Sequence, residues 1–222
     1  MERDITLWGH WTCPFVNRVE FALGQRGIER ELVSVPPSAV RPDDFELPPE
    51  FVEHSPRLEV PMMRIDGEYA VDSIPLLYWL EDRLDAPTLL PDATASLVRE
   101  RVAWLDEHLM RPHFGVAYGT DEAKIARSSD RLGDALNEMD AWLDESAWLA
   151  GGAPSLAEAI AVPIYLRLPS LVDLGFAGGI PPRVTDHRDR TLALDGGRHV
   201  GWSAEQAGEY LGRHLAFRAR NA

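Results

Sequence analysis

The chain has 222 residues, 45% hydrophobic and 26% charged, with a net charge of −14. Those proportions describe a globular chain able to bury a core, and so acidic a surface repels nucleic-acid phosphates and anionic lipid. No apolar run is long enough to span a membrane, and Met1-Glu2-Arg3-Asp4 lacks the pattern of a signal peptide, so a cytoplasmic protein with no nucleic-acid or membrane partner is expected. Cys13 is the single cysteine, which excludes an internal disulfide and a cysteine-based zinc site. Lys124 is the single lysine, in the solvated run Asp121-Glu122-Ala123-Lys124, a poor setting for Schiff-base chemistry.

Ile5 to Trp8 reads as a short apolar strand. Val16, Val19 and Leu23 follow at helical spacing from Pro14 to about Arg26, and Gly27 stands where a helix-ending glycine belongs. Glu31 to Val35 alternates like a strand, and residues 36–56, rich in proline and acid, read as loop with one helical turn at most. Pro61 to Ile65 and Glu68 to Val71 flank Asp66-Gly67, a hairpin signal. Helix returns from Ser73 to Arg83.

Residues 84–95, with Pro87 and Pro91, read as a linker. Beyond it, Val98, Val102, Leu105 and Leu109 form one helical stripe, and Ile125, Leu132, Leu136, Met139 and Leu143 another. Ser155 with Glu158 is a capping box opening a helix through Ile160, Ile164 and Leu168, and Ser203 with Gln206 repeats the pattern before a last helix. Residues 177–202 carry Gly178-Gly179, Pro181-Pro182 and Gly196-Gly197 and read as irregular. The expected organisation is a domain over 1–83, a linker over 84–95 and an all-helical domain over 96–222.

Chemistry concentrates at Trp11-Thr12-Cys13-Pro14-Phe15, between a strand and a helix. Proline suits the first helical turn, which leaves Cys13 at the N-cap. Free N–H groups and the helix dipole there favour thiolate over thiol, which makes Cys13 a candidate nucleophile; the bland alternative is a small buried residue. No second cysteine stands at Val16, so an outside thiol would have to resolve any mixed disulfide. Val60-Pro61 opens a strand where a cis bond could turn an edge toward a ligand. Asp72-Ser73 precedes a helix, as a simple cap or as a site for an amino-acid-like group. None of the seven histidines forms a helical zinc-protease motif, and no metal site is expected. His10 lies near Cys13 and could lower its pKa as imidazolium, or merely line the cleft.

In this order the motifs resemble the glutathione transferase superfamily, in its cysteine-containing omega-like and related bacterial types. They are Cys13-Pro14-Phe15 with Arg18-Val19, Val60-Pro61, Asp72-Ser73-Ile74 with Tyr78-Trp79-Leu80-Glu81, Leu89-Leu90-Pro91, and Gly152 through Ser155-Leu156-Ala157-Glu158. The resemblance implies a thioredoxin-like N-terminal domain with a mixed four-stranded sheet, then an all-α helical bundle. It implies glutathione as co-substrate, lying along Val60 and Pro61, with its γ-glutamyl end on Asp72 and Ser73, Phe15 lining the thiol site and Cys13 facing the sulfur. The acceptor, a small electrophile or mixed disulfide, would touch His10, Trp11, Met110, Phe114 and Tyr118, and the protein would be a homodimer. One departure stands out: Glu59 occupies a position where many relatives carry a lysine that holds the glycyl carboxylate. Either Arg57 compensates, or the thiol is another low-molecular-weight thiol lacking a carboxylate there.

The expected activity is thiol transfer, reduction or conjugation through a Cys13 thiolate. The alternatives are a non-catalytic binding or regulatory protein of the same fold, and a thiol-dependent isomerase or dehalogenase.

Overall fold

The computed structural model describes residues 3–221. Strand β1 (Ile5–Gly9) is buried along its whole length and occupies the middle of a four-stranded sheet, ordered β2-β1-β3-β4. β2 (Glu31–Ser34) runs parallel to β1, whereas β3 (Met62–Ile65) pairs antiparallel to β1 and to β4 (Glu68–Val71). The β3–β4 turn is the one the Asp66-Gly67 pair specifies, with positive φ at both residues (50° and 84°). Helix α1 (Pro14–Gln25) crosses between β1 and β2, and α3 (Ser73–Arg83) follows β4. The segment between β2 and β3 holds a 3₁₀ turn (Ser38–Val40) and helix α2 (Pro49–His54), more order than the expected single turn. The result is a thioredoxin-like unit with a mixed sheet.

The rest is helical: α4 (Ala95–Tyr118), α5 (Glu122–Glu145), α6 (Leu156–Asp173), α7 (Pro182–Ala193), α8 (Asp195–Val200) and α9 (Ala204–Asn221). The stripe Val98, Val102, Leu105, Leu109 is buried as its spacing requires. α6 is buried nearly all round, because it runs through the middle of the helical domain and also against α1. Its start is fixed by the capping box: Ser155 Oγ accepts the Ala157 N–H at 3.1 Å, and Glu158 accepts the Ser155 N–H at 2.7 Å. Glu158 is fully buried and also accepts the Leu149 N–H at 2.8 Å, so one carboxylate ties the preceding turn to the helix.

Residues 177–202 are not irregular throughout. Pro182 opens α7, whose buried face is Val184, His187 and Thr191 at helical spacing. Gly196 and Gly197, expected as breakers, lie inside α8; Gly196 lets it approach α1, and Gly197 lets it close against the end of α7. A methyl group on Gly196 would overlap the Phe21 carbonyl oxygen, and one on Gly197 that of Thr191. Close packing, not chain flexibility, is what these glycines serve.

Candidate active site

The turn after β1 places Cys13 at the N-cap of α1, with extended dihedrals (φ −80°, ψ 119°) and Pro14 opening the helix. The Cys13 N–H donates to the His10 carbonyl at 3.0 Å, and the thiol lies 3.8 Å from the Val60 carbonyl oxygen, which precedes the cis peptide to Pro61. Cys13 is only 2% exposed, yet it lines a cavity of about 600 Å³ between the sheet domain and the helical domain. Burial pushes its thiol above the ordinary range. The Val16 and Phe15 N–H groups, then the Arg167 and Arg18 cations, pull the other way without cancelling that effect. The helix end favours thiolate as the sequence implies, but enclosure prevails.

Two fully buried arginines frame this turn, and the sequence reading drew on neither as a site residue. Arg18 donates to Ser73 Oγ at 3.2 Å, pairs with Asp106 at 2.7 Å and lies over the Phe15 ring at 5.0 Å. It thereby links α1 to α3 and α4. Because Ser73 Oγ accepts from Arg18, its own O–H is left to donate elsewhere. Arg167, from α6, donates to the Thr12 carbonyl at 2.8 Å and to Asn17 Oδ1 at 2.9 Å, and lies over the Trp202 ring at 4.7 Å. The helical domain thus holds the residue immediately before Cys13.

Phe15, Val60, Phe114 and Tyr118 line the cavity with Cys13. Asp72 and Ser73 do not; they stand at the start of α3, joined to the Cys13 turn through Arg18. Asp72 (φ 68°) makes no capping bond and forms an exposed ion pair with Arg57. Arg57 is therefore turned toward Asp72, and Glu59, which also lines the cavity, accepts the Ser38 hydroxyl instead.

Of the five acceptor candidates, three fall outside the cavity lining, as Pro61 does among the thiol-site candidates. Met110 is buried in the core, 3% exposed. Trp11 meets Trp202 edge-on at 5.4 Å. His10 accepts the Thr12 N–H at 3.3 Å and shapes the turn. Burial, with Arg213 nearby, lowers the His10 pKa, so the imidazolium that would assist Cys13 is disfavoured.

In their place α9 supplies the outer wall: Tyr210, Arg213, His214, Phe217 and Arg220. The Tyr210 hydroxyl lies 3.1 Å from His113 Nε2, and burial pushes its pKa up to about 12. The helical spacing of these residues was present in the sequence, but nothing local says that the last helix folds back against α4 and α6. Among the described residues, no group of His, Cys, Asp and Glu is arranged to hold a metal ion, and no helix is long and apolar enough to cross a membrane.

Residues 12–83 match the model of the glutathione S-transferase N-terminal domain. Glutathione S-transferase L1 of Arabidopsis thaliana is 25% identical over 75% of this chain and 68% of its own length. Maleylacetoacetate isomerase of Pseudomonas aeruginosa is 26% identical over 71% of this chain and 78% of its own. Together these support a glutathione transferase enzyme. The transferase fold extends over the whole chain: a rice glutathione transferase solved in complex with glutathione superposes with a TM-score of 0.83 at 19% identity, covering 100% of this chain and 99% of that one.

Proposed function

We propose that the chain is a glutathione-dependent thiol transferase in which Cys13 is the nucleophile. The observation that carries this is the placement of Cys13 at a helix N-cap on the wall of an interdomain cavity, with Val60 beside it and two buried guanidinium groups behind it. In the first step the Cys13 thiolate attacks the glutathionyl sulfur of a mixed disulfide, forming a Cys13–glutathione disulfide and releasing the other half as thiolate. A second glutathione thiolate then attacks the glutathionyl sulfur, releasing glutathione disulfide and restoring Cys13. The outside thiol is obligatory because the chain has no other cysteine. Val60 offers backbone pairing, Ser73 a hydroxyl donor, and Asp72 a carboxylate for the γ-glutamyl ammonium. The N–H groups of Phe15 and Val16, with Arg18 and Arg167, favour the sulfur anion as it forms.

The test is thiol transfer from a small glutathione mixed disulfide, wild type against Cys13→Ala. Equal rates would remove Cys13 from the mechanism. The raised thiol pKa predicts iodoacetamide labelling that still accelerates with pH through the ordinary thiol range, about 8.5.

A second reading of the co-substrate has its own observation. Glu59 faces the cavity beside Val60, and Arg57 is engaged by Asp72. A thiol with no carboxylate at that end would suit Glu59 better. Calorimetry of glutathione against its glycyl amide decides: tighter binding of the free acid rejects this reading.

A further inference from the structure

The cavity wall that α9 contributes follows one helical stripe. Tyr210, Arg213, His214, Phe217 and Arg220 follow the i, i+3, i+4, i+7, i+10 pattern of one helix face and all line the cavity, so that face is turned inward. That face alternates aromatic rings with cationic or imidazole groups. The acidic residues of the same helix, Glu205 and Glu209, do not line the cavity; Glu209 meets Arg213 from outside it as an exposed i, i+4 pair. Tyr118 packs on the stripe itself, 4.6 Å from His214 and 5.5 Å from Phe217 between ring centres, and Phe15 and Phe114, 6.2 Å apart, continue the aromatic lining. Within a chain of net charge −14, this is an aromatic chamber with two arginines and a single facing carboxylate, Glu59.

A second feature points to a ligand. His214 is 5% exposed, its Nδ1 lies 2.8 Å from the Tyr210 carbonyl, and its buried Nε2 has no hydrogen-bond partner among the described residues. Since a carbonyl only accepts, Nδ1 carries the proton and Nε2 is left without one. Burial lowers the ring's pKa, the Tyr210 carbonyl opposes that, and the Arg167, Arg218 and Arg213 cations add to it; an anionic group in the cavity would act against those cations.

We propose that the acceptor is an aromatic acid: a flat apolar body held among Phe15, Phe114, Tyr118 and Phe217, with a carboxylate or similar anionic group directed to Arg213, Arg220 and His214. This deepens the reading of the Cys13 cavity as an acceptor site and rests on it for catalysis, though not for binding. A cavity of about 600 Å³ is of the size that takes a small organic ligand. A guanidinium group is suited to a planar carboxylate, and an aryl ring stacks on the same aromatic surface.

The experiment is calorimetry with 4-(methylthio)benzoate and its uncharged counterpart 4-(methylthio)benzamide, neither of which can react with Cys13. The benzoate should bind about tenfold more tightly than the benzamide at low salt, a preference that narrows at high salt. In the double variant Arg213→Gln/Arg220→Gln that preference should shrink toward unity. Both arginines are on the exposed rim of the cavity, and circular dichroism of the variant confirms that it is folded. Equal affinity for the two probes in the wild type, absence of benzoate binding at millimolar concentration, or a preference unchanged in the folded double variant overturns the proposal. The same pair of probes in Cys13→Ala separates the two readings: a retained benzoate preference alongside lost thiol transfer supports both, and a retained preference with unaltered transfer rejects only the role of Cys13.

Discussion

The two sides of the cavity are built differently. On the thiol side, backbone geometry does the positioning: β1 delivers Cys13 to the first turn of α1, the Val60 carbonyl faces it across the sheet, and buried Arg18 and Arg167 hold the surrounding turns. On the acceptor side, the wall is a row of side chains on one terminal helix, attached to α4 and α6 by a smaller interface. A substitution on the thiol side disturbs groups that cannot find water. One on the acceptor side changes what faces the cavity and leaves the frame in place. The first surface is suited to a constant co-substrate, the second to discrimination among acceptors.

The largest expected effect tests the thiol side at its centre. Cys13→Ala should reduce thiol transfer to the uncatalysed rate while circular dichroism stays that of the wild type; a retained rate would erase the distinction between the two sides. Next comes the frame. Arg167→Gln withdraws charged donors from the Thr12 carbonyl and Asn17 in a fully buried site. It should cost about 3 kcal/mol in urea denaturation, and it should move Cys13 alkylation to higher pH because a nearby cation is lost. A variant as stable as the wild type would show that α6 does not hold the turn.

A smaller effect sharpens the thiol subsite. Asp72→Asn should weaken glutathione binding by about tenfold, the loss of one charge-assisted contact. Cys13 labelling should be unaltered, because Asp72 pairs with exposed Arg57 and is not among the groups that act on the Cys13 thiol. Parallel changes in both would mean that the start of α3 and the Cys13 turn are not separable.

The smallest effect concerns the acceptor side in acid. Burial, with Arg167 and His214 nearby, holds His113 well below the ordinary imidazole range, and burial lowers His214 as well. The unfolded chain binds protons below about pH 6.5 that these folded residues refuse. Stability is therefore full above that pH and declines as pH falls below it, by at most about 1.4 kcal/mol per pH unit for each residue. Since His113 meets Tyr210, hydrogen exchange should quicken first in α9. His113→Gln should flatten the decline, and an unchanged slope would assign it to other groups.

The legible parts of this protein were those whose cause is local. Cys13-Pro14 after an apolar strand, Asp66-Gly67 between two strands, and Ser155 with Glu158 each fix their structure through bonds spanning a few residues, and each takes the expected form. Gly196-Gly197 misled because a glycine pair reads the same whether it ends a helix or admits a neighbouring one; only the approach of α8 to α1 separates the two cases. Met110 and Phe114 share one helix, four residues apart, yet one is buried in the core and the other lines the cavity.

What the sequence determined by itself was the order of strands and helices in the first half, the helical second half, and a cysteine at a helix start, because hydrophobic period, turn chemistry and capping act over short range. What only the tertiary structure decided was the enclosure that raises the Cys13 pKa, the reach of Arg167 from α6 to Thr12, and the return of α9 across the cavity. Each of these joins residues more than 100 positions apart in the chain or depends on exclusion of water by the packed whole, and no local pattern encodes that.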